Sequence, residues 1–435
     1  MSGVVDTVMD AVNLLVTQSP FDVIDGNATN TSSPTTKVLN NLTTPSNDSS
    51  KWIPEGCIEL VFGDYIPWHN PQNVVSAETE LLVDRIKAIY VLPVLCLIGV
   101  PSNIINMAVF VKQGLKDRIN LCLFALSFAD LIYMAQNMVL FGERLHPKFA
   151  EGARFGAVQA FMVNHNLLGL YGFVWASQFM SAVIASERCF CILFPLKSKT
   201  VLTTKTMAVI IVVAFIVIVG GLFVVSYRFS VICVYDSFSN SSTIIMGTSE
   251  FYRQNQEAID LLDYTVYGLL LPGIFISIVI TTTIITSVKL RRVVNWRATT
   301  SSSNDSSREV ALTKVLICTS ILFIVCFLPN LFFRLVCLVV ENLKTGKRYH
   351  NMYYVMLWLL DMASFVNSSL NFFVYYFMGT RYREAFWQIF ATCGCKGPPQ
   401  KAGAGASYVK NGQKEPASKV TNVSVVGAAS GKVAA

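Results

Sequence analysis

The stretch that decides the fold runs from Tyr353 to Met378, YYVMLWLLDMASFVNSSLNFFVYYFM. About 20 apolar residues span the hydrocarbon core of a bilayer, so this run is long enough to cross one. It nevertheless carries Asp361 and the polar series Asn367-Ser368-Ser369-Leu370-Asn371-Phe372-Phe373-Val374-Tyr375. Polar groups at that depth are costly and mark function by default. Six further apolar stretches precede it: Ile86–Val111, Ile119–Leu140, Phe155–Phe194, Thr206–Tyr227, Ile259–Leu290 and Val310–Val340. In lipid the backbone must bond internally, and runs of this length do so as helices. The third, fifth and sixth exceed the minimum, which predicts tilt or extension beyond the membrane. Only 14% of the 435 residues are charged, against about a quarter in soluble domains. The expected architecture is therefore an all-α membrane protein, a seven-transmembrane helix bundle.

Charge placement sets the expected topology. Residues 1–83 are acidic, and Lys112, Lys116 and Arg118 follow the first helix. Lys197, Lys199 and Lys205 follow the third; Lys289, Arg291, Arg292, Arg297 and Arg308 follow the fifth; Arg381, Arg383 and Lys396 follow the seventh. Positive residues favour the cytoplasmic side, which puts the N-terminus outside and the C-terminus inside. The clusters read as a topology signal and not as a nucleic-acid interface. Four units are expected: an extracellular, glycosylated, largely disordered tail over 1–83; a seven-transmembrane bundle over 84–379; a short amphipathic helix eight over 380–395; and a disordered tail over 396–435. The sequons at Asn27, Asn30, Asn41, Asn47 and Asn240 all fall on the outer side. No charged leader segment with an apolar core is seen, so the first helix is expected to act as signal anchor. Among eleven cysteines, Cys57 and Cys233 lie clearly outside, and Cys393 and Cys395 follow the amphipathic segment as palmitoylation candidates.

Polar residues recur in the other helices, as Asn103, Asp130, Ser177, Glu187–Arg188 and Glu309. Glu187-Arg188-Cys189 ends the third helix and Glu309 opens the sixth on the same side. An arginine between two carboxylates can hold the two helices together and act as a switch. Alternatively, these are unrelated interfacial charges that reach for water. Helix six carries Cys326-Phe327-Leu328-Pro329 and helix five carries Pro272. Proline inside a helix removes a bond and kinks it, so Phe327 and Pro329 mark a hinge candidate.

Together these motifs resemble the rhodopsin-like (class A) G-protein-coupled receptors over roughly Ile86–Phe390. Asn103, Leu126-Ser127-Phe128-Ala129-Asp130, Glu187-Arg188-Cys189, Cys326-Phe327-Leu328-Pro329 and Asn371-Phe372-Phe373-Val374-Tyr375 match that family's motifs in order and helix by helix. Gly114–Leu123 also resembles invertebrate, especially molluscan, receptors grouped as chemosensory; invertebrate neuropeptide receptors are similar there. The resemblance implies a plasma-membrane receptor that carries an extracellular peptide or small-molecule signal to heterotrimeric G proteins. The cytoplasmic face of helices three and six would open, with arrestin and receptor kinases as further partners. It also implies a sodium pocket formed by Asp130, Ser177, Asn367, Ser368 and Asn371, with sodium as allosteric ion and no other cofactor. A protonated Asp130 bonded to Asn371 is the other reading. On activation Tyr375 would swing inward, and Arg188 would leave Glu187 and Glu309.

The chain departs from the family pattern. Val163 stands about where the helix-three cysteine belongs, Phe372 replaces a proline, Phe327 a tryptophan and Cys189 a tyrosine. A substitute Cys57–Cys233 bridge is expected in place of the usual disulfide. Leu170 occupies the position of the amine receptors' aspartate, and helix seven has no lysine, which argues against amine and retinal ligands. Asn137, Glu143, Arg144, His165, Asn166, Tyr171, Asp260, Asp263, Arg334, Tyr354 and Asp361 supply the polar outer half. Arg334 and Asp361 either bind opposite ends of a zwitterionic or peptide ligand or pair with each other. His165 is a ligand contact or a satisfied interfacial histidine. The alternative to a receptor is a multi-helix transporter or channel, but neither inverted repeats nor paired broken helices are visible. No nucleophile, metal-protease or phosphate-loop motif points to an enzyme.

Overall fold

The computed structural model describes residues 57–59, 72–142, 156–236, 241–298, 304–340, 342–343 and 347–392. The glycosylation candidates Asn27, Asn30, Asn41, Asn47 and Asn240, the palmitoylation candidates Cys393 and Cys395, and Glu143 and Arg144 lie outside them. Seven helices are long and apolar enough to cross a membrane. They are α1 (Ala77–Gln113), α2 (Arg118–Leu140), α3 (Leu167–Leu193), α4 (Thr204–Ser226), α5 (Gln256–Arg292), α6 (Val310–Val339) and α7 (His350–Met378). A short α8 follows at Thr380–Thr392.

The first helix begins at Ala77, nine residues before the expected start. Ser76 caps it, its hydroxyl accepting from the Thr79 amide at 3.2 Å, so the capping residue and not the apolar pattern sets the boundary. The tail expected to be disordered through residue 83 thus contributes helix, and also strand β1 (Cys57–Glu59). Both α1 and α5 widen to π-helix, over Ile86–Val91 and Leu261–Leu270. Each widened stretch ends just before a proline, Pro93 and Pro272. Proline offers no amide to the carbonyl four residues back and crowds it, which favours the wider turn.

The third apolar stretch is not one helix. A short helix, Ala157–Asn164, ends at His165, and Asn166 takes a left-handed backbone (φ 53°) before a 3-10 turn, Leu167–Tyr171, leads into Gly172–Leu193. Asparagine tolerates that conformation, and the chain bends there despite continuous hydropathy. Close approach of α4 requires the adjacent glycines: a Cβ on Gly172 would stand 2.8 Å from the Val219 Cα.

The expectation of an all-α fold missed a small sheet. Strands β2 (Phe229–Asp236) and β3 (Ser241–Thr248) pair antiparallel, and β1 adds to β2 in parallel with Cys57 opposite Cys233. Val231, Ile232, Val234 and Tyr235 followed by Thr243, Ile244 and Ile245 carry the β-branched and aromatic signal of a hairpin. The sheet packs on the short helix Ala157–Asn164 at one end of the bundle, and α8 lies at the other. α8 turns Tyr382 and Ala385 inward, with Arg381, Glu384 and Gln388 exposed.

Candidate functional site

The polar seam of α7 meets α2 and α3 in the middle of the bundle. Asp130 on α2 is fully buried. One carboxylate oxygen accepts from the Ser177 hydroxyl at 2.6 Å and the Ser368 hydroxyl at 2.8 Å; the other accepts from the Asn371 amide at 3.2 Å. These are three of the four partners expected. Asn367 is buried beside them but donates to neither carboxylate oxygen. Asn103 on α1 ties the centre to α7 by donating to the Ser368 carbonyl at 3.0 Å.

Toward the sheet end, Asn137 lies seven residues from Asp130 on α2, about 10 Å along a helix. It borders a cavity of about 120 Å³ among α1, α2, α3, α5, α6 and α7. Tyr171 donates to the Asn137 side-chain oxygen at 2.9 Å, and both line this space. So do Arg334 and Asp361, which make no hydrogen bond or ion pair with each other. Among the described residues neither side chain has a bonding partner of either kind, although each lies within electrostatic reach of the other. The Gln178 side-chain oxygen is buried in the same wall and unbonded. Unpaired polar groups inside an apolar bundle are costly, so a cavity lined by them is suited to a polar guest. Phe327 lines the cavity and packs on Phe323, 4.8 Å between ring centres with the rings tilted by 41°, in one apolar cluster with Phe275, Ile276 and Val279.

Three placements correct the sequence reading. His165 caps the short helix at the sheet end, exposed, its ring nitrogen 2.9 Å from the Phe161 carbonyl, and it does not line the cavity. Asp260 and Asp263 are not cavity residues either. They hold Arg228, which is fully buried, at 2.6 and 2.7 Å, with the Tyr252 hydroxyl accepting at 2.8 Å. The ring faces of Tyr252 and Tyr264 lie 4.5 and 5.0 Å from its guanidinium. Burial works against the Arg228 charge, but Tyr264, Asp263, Tyr252 and Asp260 outweigh it and raise its pKa. Lys87, in the π-turn of α1, also lines the cavity, 3.5 Å from Asp84 and over the Trp358 ring. Sequence reasoning missed Arg228 and Lys87 because neither belongs to a motif.

At the opposite end, Glu187 is buried and pairs with Arg188, as expected. Its second partner was not foreseen: the Arg118 Nε donates to Glu187 at 2.7 Å. The Glu309 side chain lies outside the described ones. Tyr375 is buried with its hydroxyl unbonded, its ring edge-on to Phe110 at 5.6 Å and 5.7 Å from Tyr382. The Tyr382 hydroxyl donates to Asn106 at 2.6 Å, docking α8 on α1. Burial raises the Tyr382 pKa. Pro329 lies inside α6, two residues from Phe327. Cys233 is disulfide-bonded.

Residues 90–393 match the family model described as serpentine type 7TM GPCR chemoreceptor Srw. The chain is 27% identical over 299 residues to galanin receptor 2b of Danio rerio, covering 68% of this chain and 72% of that receptor. It is 24% identical over 332 residues to a probable G-protein coupled receptor of Caenorhabditis elegans, covering 73% of this chain and 72% of the relative. These are receptors and not enzymes, and seven apolar helices argue against the transporter alternative. A multi-pass membrane bundle with a buried polar centre, matched over most of its length, belongs to the serpentine 7TM G-protein-coupled chemoreceptor family Srw.

Proposed function

We propose that the cavity at the sheet end takes an extracellular ligand carrying both an acidic and a basic or donor group. Arg334 would grip a carboxylate, and Asp361 the opposite pole. The observation that carries this reading is that both charges line one cavity and, among the described residues, neither has a hydrogen-bond or ion-pair partner. Arginine binds carboxylate through two parallel donors, which gives orientation as well as energy. A peptide or a small zwitterion meets this requirement. Similarity to a receptor named for galanin favours a peptide, and the family's chemoreceptor description favours a small molecule. Asn137, Tyr171 and Gln178 would contact the ligand more deeply.

In this reading the sheet end faces outward at the plasma membrane and the basic end faces the cytoplasm. Ligand binding shifts the population toward a state in which α3 and α6 part at the cytoplasmic end. Phe327 and Pro329 supply the hinge, Tyr375 turns inward, and Arg188 leaves Glu187 for the G protein. Asp130 with the oxygens of Ser177, Ser368, Asn367 and Asn371 fits a hard cation, which takes oxygen ligands, and sodium would stabilise the closed state. Cys57, opposite Cys233 in the sheet, is the partner we assign to that disulfide. Glycosylation of the outer asparagines, palmitoylation of Cys393 and Cys395, and arrestin and kinase engagement belong to the same reading.

The test is agonist-driven G-protein activation in cells expressing promiscuous Gα subunits, with Arg334→Ala and Asp361→Asn beside the wild type. Loss of the response in both variants, with surface levels and agonist-free activity unchanged, supports the assignment. A response that survives both substitutions rejects it.

A further inference from the structure

Arg118 makes four side-chain hydrogen bonds at the basic end, and the function above gives it no role. It opens α2 and crosses to α3. Its Nε donates to Glu187 at 2.7 Å, and one terminal nitrogen donates to the Cys191 Sγ at 2.8 Å. The other terminal nitrogen donates to the Ser198 and Leu202 carbonyls at 2.9 and 3.0 Å. The Ser198 carbonyl lies in the last turn of the short helix Pro195–Val201, which follows α3, and also accepts from the amide of Leu202, the residue that caps that helix. A cation at a helix C-terminus meets the negative end of its dipole. One guanidinium therefore joins a buried carboxylate to the loop helix that follows it.

The charge count gives this joint a purpose. Glu187 is one carboxylate claimed by two arginines, with its side chain 1% exposed. Removing the only partner of a buried charge is strongly unfavourable. If Arg188 were that only partner, its departure would strand Glu187. With Arg118 in place, Glu187 keeps a partner after Arg188 leaves, and the loop helix keeps its anchor throughout.

We infer that Arg118 is a positioning residue for G-protein activation: it holds Glu187 and the helix Pro195–Val201 so that Arg188 is free to switch. This rests on the coupling role proposed for Arg188. Arg118 acts through Glu187, so its effect depends on the Glu187 charge, which a purely structural anchor would not show.

The experiment is agonist-free nucleotide exchange on a panel of purified Gαβγ heterotrimers. Membranes would carry full-length wild type, Arg118→Ala, Glu187→Gln and the double variant at matched surface levels. Arg118→Ala is expected to lower exchange at least threefold, and Glu187→Gln to raise it. The double variant is expected to match Glu187→Gln alone. Arg118→Lys should recover at least half of the loss. If Arg118→Ala fails to reach the surface, Arg118→Gln, which keeps an amide donor but no charge, carries the same cycle. An equal fold-loss in both backgrounds, or no loss in either, overturns the inference while active Glu187→Gln leaves the coupling reading standing. Silence from every variant on every heterotrimer overturns both.

Discussion

The two ends of the bundle treat charge in opposite ways. At the basic end and in the centre, buried charges are bonded: Glu187 by two arginines, Asp130 by two serines and an asparagine. At the sheet end Arg228 is enclosed by two aspartates and two tyrosines, yet Arg334 and Asp361 line a cavity there without a bonded partner among the described residues. Paired buried charges are complete within the chain and set its resting state. Unpaired ones are tolerated where a partner arrives from outside. In the function proposed above, the contrast separates the parts of the receptor that store a state from the part that senses.

The contrast is broken most severely at Arg228. Arg228→Ala removes the cation to which Asp260 and Asp263 are bonded and should cost about 3–5 kcal/mol. Surface expression should collapse, as read by flow cytometry of an N-terminal tag; near-normal expression would show that the cluster is dispensable. At the basic end, Arg188→Ala should abolish nucleotide exchange while surface expression stays within twofold of wild type. A variant that signals normally would sink the switch.

Asp130 sharpens the comparison further. If sodium binds there, raising sodium chloride to ten times its Kd should stabilise the detergent-solubilised receptor by about 1.4 kcal/mol over choline chloride. Asp130→Asn should remove that difference, and a sodium effect that persists would place the ion elsewhere. The smallest effect is expected at Asp361. Because its carboxylate has no bonded partner among the described residues, Asp361→Asn should leave the ligand-free melting temperature unchanged or slightly higher, within about 0.5 kcal/mol. A large loss of stability would mean that the charge is paired within the chain.

Hydropathy made the seven spans legible, because a 26-residue run such as Tyr353–Met378 has few alternatives in lipid. The polar centre was equally legible: Asp130, Ser177, Ser368 and Asn371 meet where the motifs placed them. Features that hydropathy averages away were not. The break at His165–Asn166 lies in an apolar run, and the start of α1 depends on the cap at Ser76. The hairpin was written in β-branched residues but overshadowed by the helices around it. Arg118 and Arg228 act through partners on distant parts of the chain, and basic residues near span ends read first as topology. Whether Arg334 and Asp361 pair was undecidable from sequence, since it depends on side-chain directions across two helices.

The measurement that bears most directly on the central claim is a paired agonist screen. Cells with promiscuous Gα subunits would be challenged with a neuropeptide library and, separately, with waterborne amino acids and small metabolites. The expected agonist carries both an acid and a donor pole, and its potency falls at least 30-fold in Arg334→Ala and in Asp361→Asn. Agonist-free exchange should be unchanged in both. An agonist of equal potency on wild type and both variants would contradict the claim, and would move the sensing site away from the unpaired charges.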